Sequence, residues 1–274
     1  MTYLWRFGDK TTANAGNPTK TYASYGNYFV RLIVTSDKLC NDSISKPVEI
    51  YPMPLASFTV NDSTQCFRNN LLICNNSSSI GSGNISYLWK FGDQTSSSIA
   101  SPSKHYDSSG NYNIRLIVNS NKSCIDSIDK PIEIYTMPIA SFLINDSTQC
   151  FKGHSFSFVN NSHIKQGIIS FLWDFGDNTS STSNNASKTY NTYGNYQVKL
   201  IVSSDQSCKD TLEKPIEVNS LPLAGFNIDK QHQCFNNNLF KLVKNKQIPA
   251  VIISSAQWSF SDLSSANGDS TNHH

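Results

Sequence analysis

Six of the seven cysteines in the 274-residue chain fall into two series that repeat every 84 residues. The first series is Cys40, Cys124 and Cys208, and the second is Cys66, Cys150 and Cys234. Thiolates bind zinc when they stand in closely spaced pairs or beside histidines, and neither series has that spacing. Regularly spaced single cysteines are instead typical of structural disulfides in a protein exported to an oxidising compartment. The seventh cysteine, Cys74, lies outside both series and is predicted to be a small buried apolar residue.

A carboxylate recurs in a Phe-Gly-Asp turn, at Asp9, Asp93 and Asp177. Calcium binds six to eight oxygen atoms, so one aspartate in each turn supplies far too few ligands. We therefore expect each aspartate to cap its turn through an Asx-type hydrogen bond, with a calcium site as the less favoured alternative and no other cofactor.

No set of candidate catalytic residues recurs with the repeat. The six histidines do not recur in register, and no set of nucleophile, base and acid recurs with the 84-residue period. Because an active site needs such groups to converge, the chain is predicted not to be an enzyme.

The composition excludes two further classes of protein. The net charge is +2 with only 15% charged residues, so an electrostatic nucleic-acid binder is not expected. No apolar run approaches the roughly 20 residues of a membrane helix, so membrane insertion is not expected either. Polarity comes mainly from Ser, Asn and Thr, which suit strands and turns better than helices.

The elements that carry these residues repeat as a unit. A Trp-x-Phe strand centres on tryptophans that are 84, 84 and 85 residues apart, namely Trp5, Trp89, Trp173 and Trp258. A tyrosine before a Gly-Asn-Tyr segment recurs in register at Tyr22, Tyr106 and Tyr190. A period of this length indicates an array of domains that each hold their own core.

Within each repeat the apolar residues alternate with a period of two. Tyr112, Ile114, Leu116 and Val118, for example, share one strand face. Strands of this kind, separated by turn residues every 8–12 positions, predict an all-β fold of tandem Ig-like sandwiches in an elongated rod. The recurrent tyrosines are interpreted as corner tyrosines bonded to the backbone, and the tryptophans as core residues.

The repeats predict four segments. Residues 1–52 are a partial repeat with strands C to G, residues 53–136 and 137–220 are complete domains, and residues 221–274 are a partial repeat with strands A to C. The partial ends predict either a segment of a longer protein or copies that join head to tail, since a half sandwich leaves strand edges unpaired. Prolines at the joints predict a semi-rigid arrangement.

Two disulfide pairings stay open. Within a domain, Cys66 would bond Cys124, and Cys150 would bond Cys208. In an Ig-like sandwich, however, the A–B and F–G turns lie at opposite ends, roughly 20 Å apart. A bond from Cys66 to Cys208 would join neighbouring domains instead, and this pairing is slightly favoured.

The motifs Trp-x-Phe-Gly-Asp and Tyr-x-x-x-Gly-x-Tyr-x-Val-x-Leu resemble the PKD family of extracellular Ig-like modules. The flanking Gln-Cys-Phe and Ser-Cys-x-Asp motifs resemble PKD repeats of large Bacteroidota surface proteins. That resemblance implies type IX secretion, an extracellular or cell-surface location, and a role in adhesion, gliding or filaments.

The same resemblance implies O-glycosylation at Asp-(Ser/Thr) motifs. The hydroxyl residues in those motifs are Ser43, Ser127, Thr211, Ser63 and Ser147. The alternative is that Asp and Ser bond the backbone at the start of a strand.

The predicted function is a structural and adhesive stalk or filament of a bacterial surface protein. Its expected partners are other domains of the same protein, copies of itself, or a surface glycan or protein. The alternative is an accessory glycan- or protein-binding module of a secreted hydrolase.

Overall fold

The computed structural model describes residues 1–245, 255–268 and 270–273, and every regular element in these ranges is a β-strand. The chain divides into two compact units, Met1–Met137 and Pro138–His274. The described residues include no helix of the length and apolarity that crossing a membrane requires.

Unit 1 begins with a single antiparallel sheet. Its strands are β1 (Thr2–Arg6), β2 (Thr12–Ala13), β3 (Gly26–Thr35) and β4 (Asn41–Ile50), in the order β2-β1-β3-β4. Trp5 and the apolar residues of β3 that share its face remain half-exposed, because no second sheet covers them.

A complete sandwich follows in unit 1. Its strands are β5 (Phe58–Val60), β6 (Thr64–Cys66), β7 (Leu72–Asn76), β8 (Ile85–Lys90), β9 (Ser96–Ser97), β10 (Ser103–Lys104), β11 (Gly110–Ser120) and β12 (Ile125–Tyr135). They form a three-stranded sheet, β10-β7-β5, and a five-stranded sheet, β6-β12-β11-β8-β9. Between the sheets lie Ile114, Leu116 and Val118 of β11 together with Trp89 and Phe58, all of them buried.

Unit 2 begins with the same sandwich. Its strands are β13 (Phe142–Ile144), β14 (Thr148–Cys150), β15 (Phe156–Asn160), β16 (Ile169–Asp174), β17 (Ser180–Ser181), β18 (Ala186–Lys188), β19 (Gly194–Ser204) and β20 (Lys209–Asn219). The sheet orders are β13-β15-β18 and β14-β20-β19-β16-β17. The predicted alternation holds here too, since Val198, Leu200 and Val202 of β19 are fully buried.

The last described strands of unit 2 are β21 (Phe226–Ile228), β22 (Phe240–Lys244), β23 (Gln257–Ser259), β24 (Ser265–Asn267) and β25 (Ser270–His273). Their sheet orders are β21-β22-β25 and β23-β24. The sequence predicts strands A to C for this segment, and the structure adds β24 and β25 beyond the strand that contains Trp258.

The prediction of an all-β chain built of tandem Ig-like sandwiches is confirmed. The physical cause is the period-two pattern, which gives each long strand one apolar face and forces two sheets to cover each other.

Candidate structural site: the closed end of the sandwich and its cysteines

A buried tyrosine closes one end of each complete sandwich. The hydroxyl of Tyr106 donates a hydrogen bond to the carbonyl of Phe91 at 2.9 Å, and Tyr190 does the same to Phe175 at 2.9 Å. Both tyrosines are almost completely buried, and this burial raises the pKa of each phenol. The hydroxyl therefore stays protonated and remains a donor to a carbonyl that water reaches poorly.

A second tyrosine stacks on the first. The rings of Tyr106 and Tyr112 lie 3.9 Å apart, and the Tyr112 hydroxyl donates to the carbonyl of Ser108 at 2.9 Å. The partial repeat keeps the same arrangement, with Tyr22 stacked on Tyr28 at 4.1 Å and bonded to the carbonyl of Phe7 at 2.9 Å. The recurrent Tyr…Gly-Asn-Tyr motif thus encodes a stacked pair that ties the chain to the turn after the tryptophan strand.

A lysine forms an ion pair with the aspartate of the Phe-Gly-Asp turn. Lys104 Nζ lies 2.5 Å from Asp93 Oδ2, while Asp93 Oδ1 accepts hydrogen bonds from the amide of Thr95 at 3.1 Å and from its hydroxyl at 2.6 Å. The same ammonium lies 5.3 Å above the ring of Tyr106, within cation–π range. Equivalent pairs recur as Lys20 with Asp9 and Lys188 with Asp177.

This network shifts the carboxylates toward the charged form. Burial raises the pKa of Asp93 and of Asp177, but the hydrogen bonds from the neighbouring lysine and threonine outweigh it, so each pKa falls below its usual value. The bond from Lys20 lowers the pKa of Asp9 to about 2. Each aspartate therefore caps its turn, as the sequence predicts, with a protein cation already beside it. Within the described ranges, no three His, Cys, Asp or Glu side chains group as metal ligands.

The tryptophans have one hydrogen-bonding role and two degrees of burial. Trp89 and Trp173 are fully buried, and their indole nitrogens donate to the carbonyls of Ile99 and Ser183, each at 3.0 Å. Trp5 and Trp258 make the corresponding bonds to Ala15 at 3.1 Å and Gly268 at 3.0 Å but are only partly buried. The bond is thus local to the repeat, whereas full burial needs both sheets.

Sequence reasoning missed one polar group at this end of the sandwich. Asn70 is buried, accepts the amide of Tyr106 at 2.8 Å and donates to the carbonyls of Phe67 and Tyr106. In the next repeat His154 takes this place. Its Nε2 accepts the amide of Tyr190 at 2.7 Å and its Nδ1 lies 2.7 Å from the carbonyl of Phe151. The change of residue type hides the position from a search for identical motifs.

The cysteines of one sandwich lie at opposite ends of its last strand. Cys66 ends β6, which runs parallel to β12 with Cys66 opposite Tyr135, whereas Cys124 directly precedes Ile125 at the start of β12. Eleven residue steps along a strand span about 35 Å, and a disulfide needs Cα atoms about 4.4–6.8 Å apart. The Cys66–Cys124 pairing is therefore excluded.

The next sandwich repeats this separation. Cys150 lies opposite Asn219 at the end of β20, and Cys208 directly precedes its first residue, Lys209. The Cys150–Cys208 pairing is excluded for the same reason, and the distance in both domains exceeds the sequence-based estimate because the last strand has eleven residues.

All seven cysteines lie in the described part of the chain, and two of them, Cys66 and Cys208, are disulfide-bonded. Cys40, Cys74, Cys124, Cys150 and Cys234 have free thiols. Cys74 is fully buried, and this burial raises the pKa of its thiol to about 11, so it is the small apolar core residue that its position indicates.

Each complete sandwich pairs its second strand in parallel with its last strand, β6 with β12 and β14 with β20. Around β6, the amide of Glu133 donates to the carbonyl of Ser63 at 2.8 Å, and the amide of Phe67 donates to the carbonyl of Tyr135 at 2.9 Å. In the next sandwich the corresponding bonds run from Glu217 to Ser147 and from Phe151 to Asn219, both at 2.8 Å.

The joint inside unit 1 brings side chains of the single sheet onto the sandwich. Lys122 Nζ lies 4.8 Å above the ring of Tyr51, which directly precedes Pro52. Tyr25 approaches Gly81 so closely that a Cβ there would lie 2.6 Å from the tyrosine hydroxyl. These contacts restrict the joint in addition to its prolines.

The five hydroxyls of the Asp-(Ser/Thr) motifs are all exposed: Ser43, Ser63, Ser127, Ser147 and Thr211. Two of the aspartates have structural roles, because Asp126 accepts the amide of Ala56 and Asp210 that of Ala140, each at 2.8 Å. These bonds fasten the start of the last strand to the start of the domain across 70 residues, whereas the alternative interpretation of the motif describes a local turn.

Comparison with known proteins agrees with the motifs. Residues 1–51, 53–134 and 135–219 match the PKD domain family. The pre-pro-metalloprotease PrtV of Vibrio cholerae is 35% identical over 94 residues, which are 33% of this chain and only 10% of PrtV.

Two solved PKD1 domains are also similar. The one from Vibrio anguillarum Epp is 30% identical, with coverage of 31% of this chain and 96% of that domain and a TM-score of 0.28. The one from PrtV is 30% identical, with coverage of 31% and 98% and a TM-score of 0.25. These relatives come from Vibrio, so the resemblance to Bacteroidota proteins stays a prediction. With three matched segments that span most of its length, the chain belongs to the PKD domain family.

Proposed function

We propose that this chain is a non-catalytic, load-bearing segment of an extracellular protein, which serves as a semi-rigid stalk or filament in adhesion. The observation that carries the proposal is the parallel pairing of the second and last strands in each complete sandwich. When a domain is pulled by its two ends, the two strands of this parallel pair are drawn along each other, so their hydrogen bonds bear the force together rather than one after another.

The second element of the proposal is a covalent staple from Cys66 to Cys208, between successive domains. Three observations support it: these two cysteines are disulfide-bonded, the other five are free, and both pairings within a domain span about 35 Å. A structural disulfide agrees with an extracellular location, as does the similarity to the PKD1 domain of the Vibrio cholerae pre-pro-metalloprotease PrtV. Type IX export by a member of the Bacteroidota, and O-glycosylation of the exposed hydroxyls, are finer parts of the proposal that rest on the motifs alone.

The partners that we propose are further domains of the same protein or copies of this chain, and at the surface a glycan or another protein. The free, exposed Cys150 and Cys234 occupy the position that Cys66 has in its own repeat. A cysteine in a following domain would therefore suit them as a partner.

Single-molecule pulling tests the load-bearing role. In a Cys66→Ser/Cys208→Ser background, Glu133→Pro removes the amide that bonds Ser63 in the parallel pair. Loss of about 1 kcal/mol should accelerate unfolding of this sandwich under force about fivefold. Ser96→Pro, in the short strand β9 away from the pulled ends, is the matched control. Equal unfolding forces for the two variants would contradict the role of the parallel pair.

A second candidate function follows from one comparison. The similarity to a PKD domain of a pre-pro-metalloprotease favours an accessory module of a secreted hydrolase. Such a module should bind an insoluble polymer, so retention of the chain on collagen, chitin or cellulose in a pull-down would favour it. Absence of retention on all three would favour the stalk.

A further inference from the structure

We propose that the joint inside unit 1 binds the end of a neutral glycan, which gives the adhesive role in the proposed function a ligand and rests on that role. A cleft of about 280 Å³ lies where the single sheet meets the complete sandwich. The sheet lines it with the start of β3 and the end of β4, and the sandwich lines it with residues 82–83 and 121–122.

Two tyrosines give this cleft aromatic walls. Tyr25 is 55% exposed and Tyr51 is 37% exposed. Both rings have a fixed neighbour, because a Cβ at Gly81 would lie 2.6 Å from the Tyr25 hydroxyl and Lys122 Nζ lies 4.8 Å above the ring of Tyr51. The face of an aromatic ring packs well against the C–H groups of a sugar ring. A side chain that is already held in place loses little entropy on binding, so the cleft is preorganised for such stacking.

Polar side chains line the same cleft. Asn27 and Glu49 lie directly opposite each other on β3 and β4, and Ser82 and Asn121 belong to the sandwich. In the part of the chain that the structure describes, the side chains of Asn27, Glu49 and Ser82 form no hydrogen bond or ion pair. Each sugar hydroxyl both donates and accepts, and these side chains supply both kinds of group.

Charge and size narrow the class of ligand. Glu49 and Lys122 place one negative and one positive charge at the cleft, so a sulfated or carboxylated sugar gains no net attraction there. The cleft is smaller than the roughly 300–1,000 Å³ of pockets for drug-sized ligands. It therefore suits one or two rings at the end of a glycan and not a long stretch of polymer.

The fold does not require the side chains that form this cleft. One repeat later, Ser109 stands at the position of Tyr25, Lys165 at that of Gly81 and Gln206 at that of Lys122. The two complete sandwiches nevertheless have the same strand order. The set is thus particular to the joint inside unit 1, as expected of a binding site and not of a structural motif.

Saturation-transfer NMR of the full chain tests the site. The probes are the methyl glycosides of glucose, galactose, mannose and N-acetylglucosamine, with methyl glucuronoside as the charged comparison. At least one neutral sugar should bind with a Kd of about 1 mM, the affinity expected of so small a ligand. Tyr25→Ala should weaken that binding about tenfold, because the stacking surface is lost.

Two further variants separate binding from folding. Tyr193→Ala is the matched control, since Tyr193 stands at the position of Tyr25 in the third repeat and is also exposed, and it should leave the Kd unchanged. Asn27→Ala removes a side chain that has no partner in the described part of the chain, so it should weaken sugar binding without lowering the Tm.

Three results would overturn the inference. They are no binding by any neutral sugar, tighter binding of the glucuronoside, and a Kd that neither Tyr25→Ala nor Asn27→Ala changes. Each of them leaves the load-bearing role standing, because that role has its own test in the Glu133→Pro variant.

Discussion

Removal of a single hydroxyl should reveal how much the hydrogen bond of the corner tyrosine contributes to the free energy of unfolding. Tyr106→Phe deletes the donor to the carbonyl of Phe91 and leaves the ring, its stacking on Tyr112 and the backbone in place. Tyr22→Phe makes the same deletion in the partial repeat, where the tyrosine is half-exposed. The chain therefore contains its own control for burial.

The expected magnitude follows from the environment of the carbonyl that loses its donor. Phe91 is 3% exposed and Tyr106 is 0% exposed, so water reaches the Phe91 carbonyl poorly after the deletion. An unsatisfied buried acceptor costs about 1–3 kcal/mol, whereas a bond that water replaces contributes about 0.5–1.5 kcal/mol. For a domain of this size, 1 kcal/mol corresponds to about 4–8 °C in Tm. Tyr106→Phe should therefore lower the Tm of its sandwich by roughly 5–15 °C, and Tyr22→Phe should lower that of its sheet by less.

Differential scanning calorimetry of the full chain, with urea unfolding followed by tryptophan fluorescence, measures both effects. The denaturant slope should not change, because the folded surface is the same. Equal destabilisation by the two variants, or none by Tyr106→Phe, would refute the reasoning that burial of the carbonyl sets the cost.

Three further predictions concern polar groups of the same sandwiches. The pKa of Asp93 is depressed in the folded chain, so its stabilising effect is complete above the unfolded pKa of about 4 and is lost as the pH falls through the folded pKa. Urea titrations from pH 7 to pH 2 should show this loss in the free energy of unfolding, and Asp93→Asn should make that free energy depend less on pH. His154→Asn should change the free energy of unfolding by less than about 1 kcal/mol, because Asn70 fills this place in the other sandwich, whereas His154→Ala should cost about 1–3 kcal/mol. Equal costs of the two variants in chemical denaturation would contradict the equivalence of Asn70 and His154. A maleimide should label Cys150 in the native chain, but it should label Cys74 only after urea unfolds the chain, since Cys74 is buried and burial raises the pKa of its thiol to about 11. Labelling of Cys74 in the native chain, measured by mass spectrometry of the peptides, would contradict this prediction.

Much of the fold was predictable because its cause is local and repeated. Alternating apolar residues such as Ile114, Leu116 and Val118 give a strand one buried face wherever they occur, and the 84-residue period shows which strands belong together. The corner hydroxyl of Tyr106 was also predictable, since a tyrosine at this position of an Ig-like sandwich bonds the backbone.

The remaining features depend on contacts between residues that are distant in sequence. Lys104 lies eleven positions after Asp93, and only the fold shows that its ammonium reaches that carboxylate and the ring of Tyr106. The equivalence of Asn70 and His154 cannot be read from residue type, because both serve as acceptors for a backbone amide through different side chains. The exclusion of a cysteine pairing within the sandwich needed the register of the parallel strands, which fixes Cys66 opposite Tyr135.

The register also explains why two series of cysteines recur while neither pairs within its own domain. One series marks the end of a short strand beside the finish of the last strand, and the other marks the start of that last strand, about 35 Å away. A bond within a sandwich could therefore form only if the last strand were disrupted, which would expose Ile132 and Ile134 of the core. The folded domain therefore keeps its own two periodic cysteines too far apart to form a disulfide with each other. Each complete sandwich is therefore held together by its packed core, with no disulfide between its own cysteines.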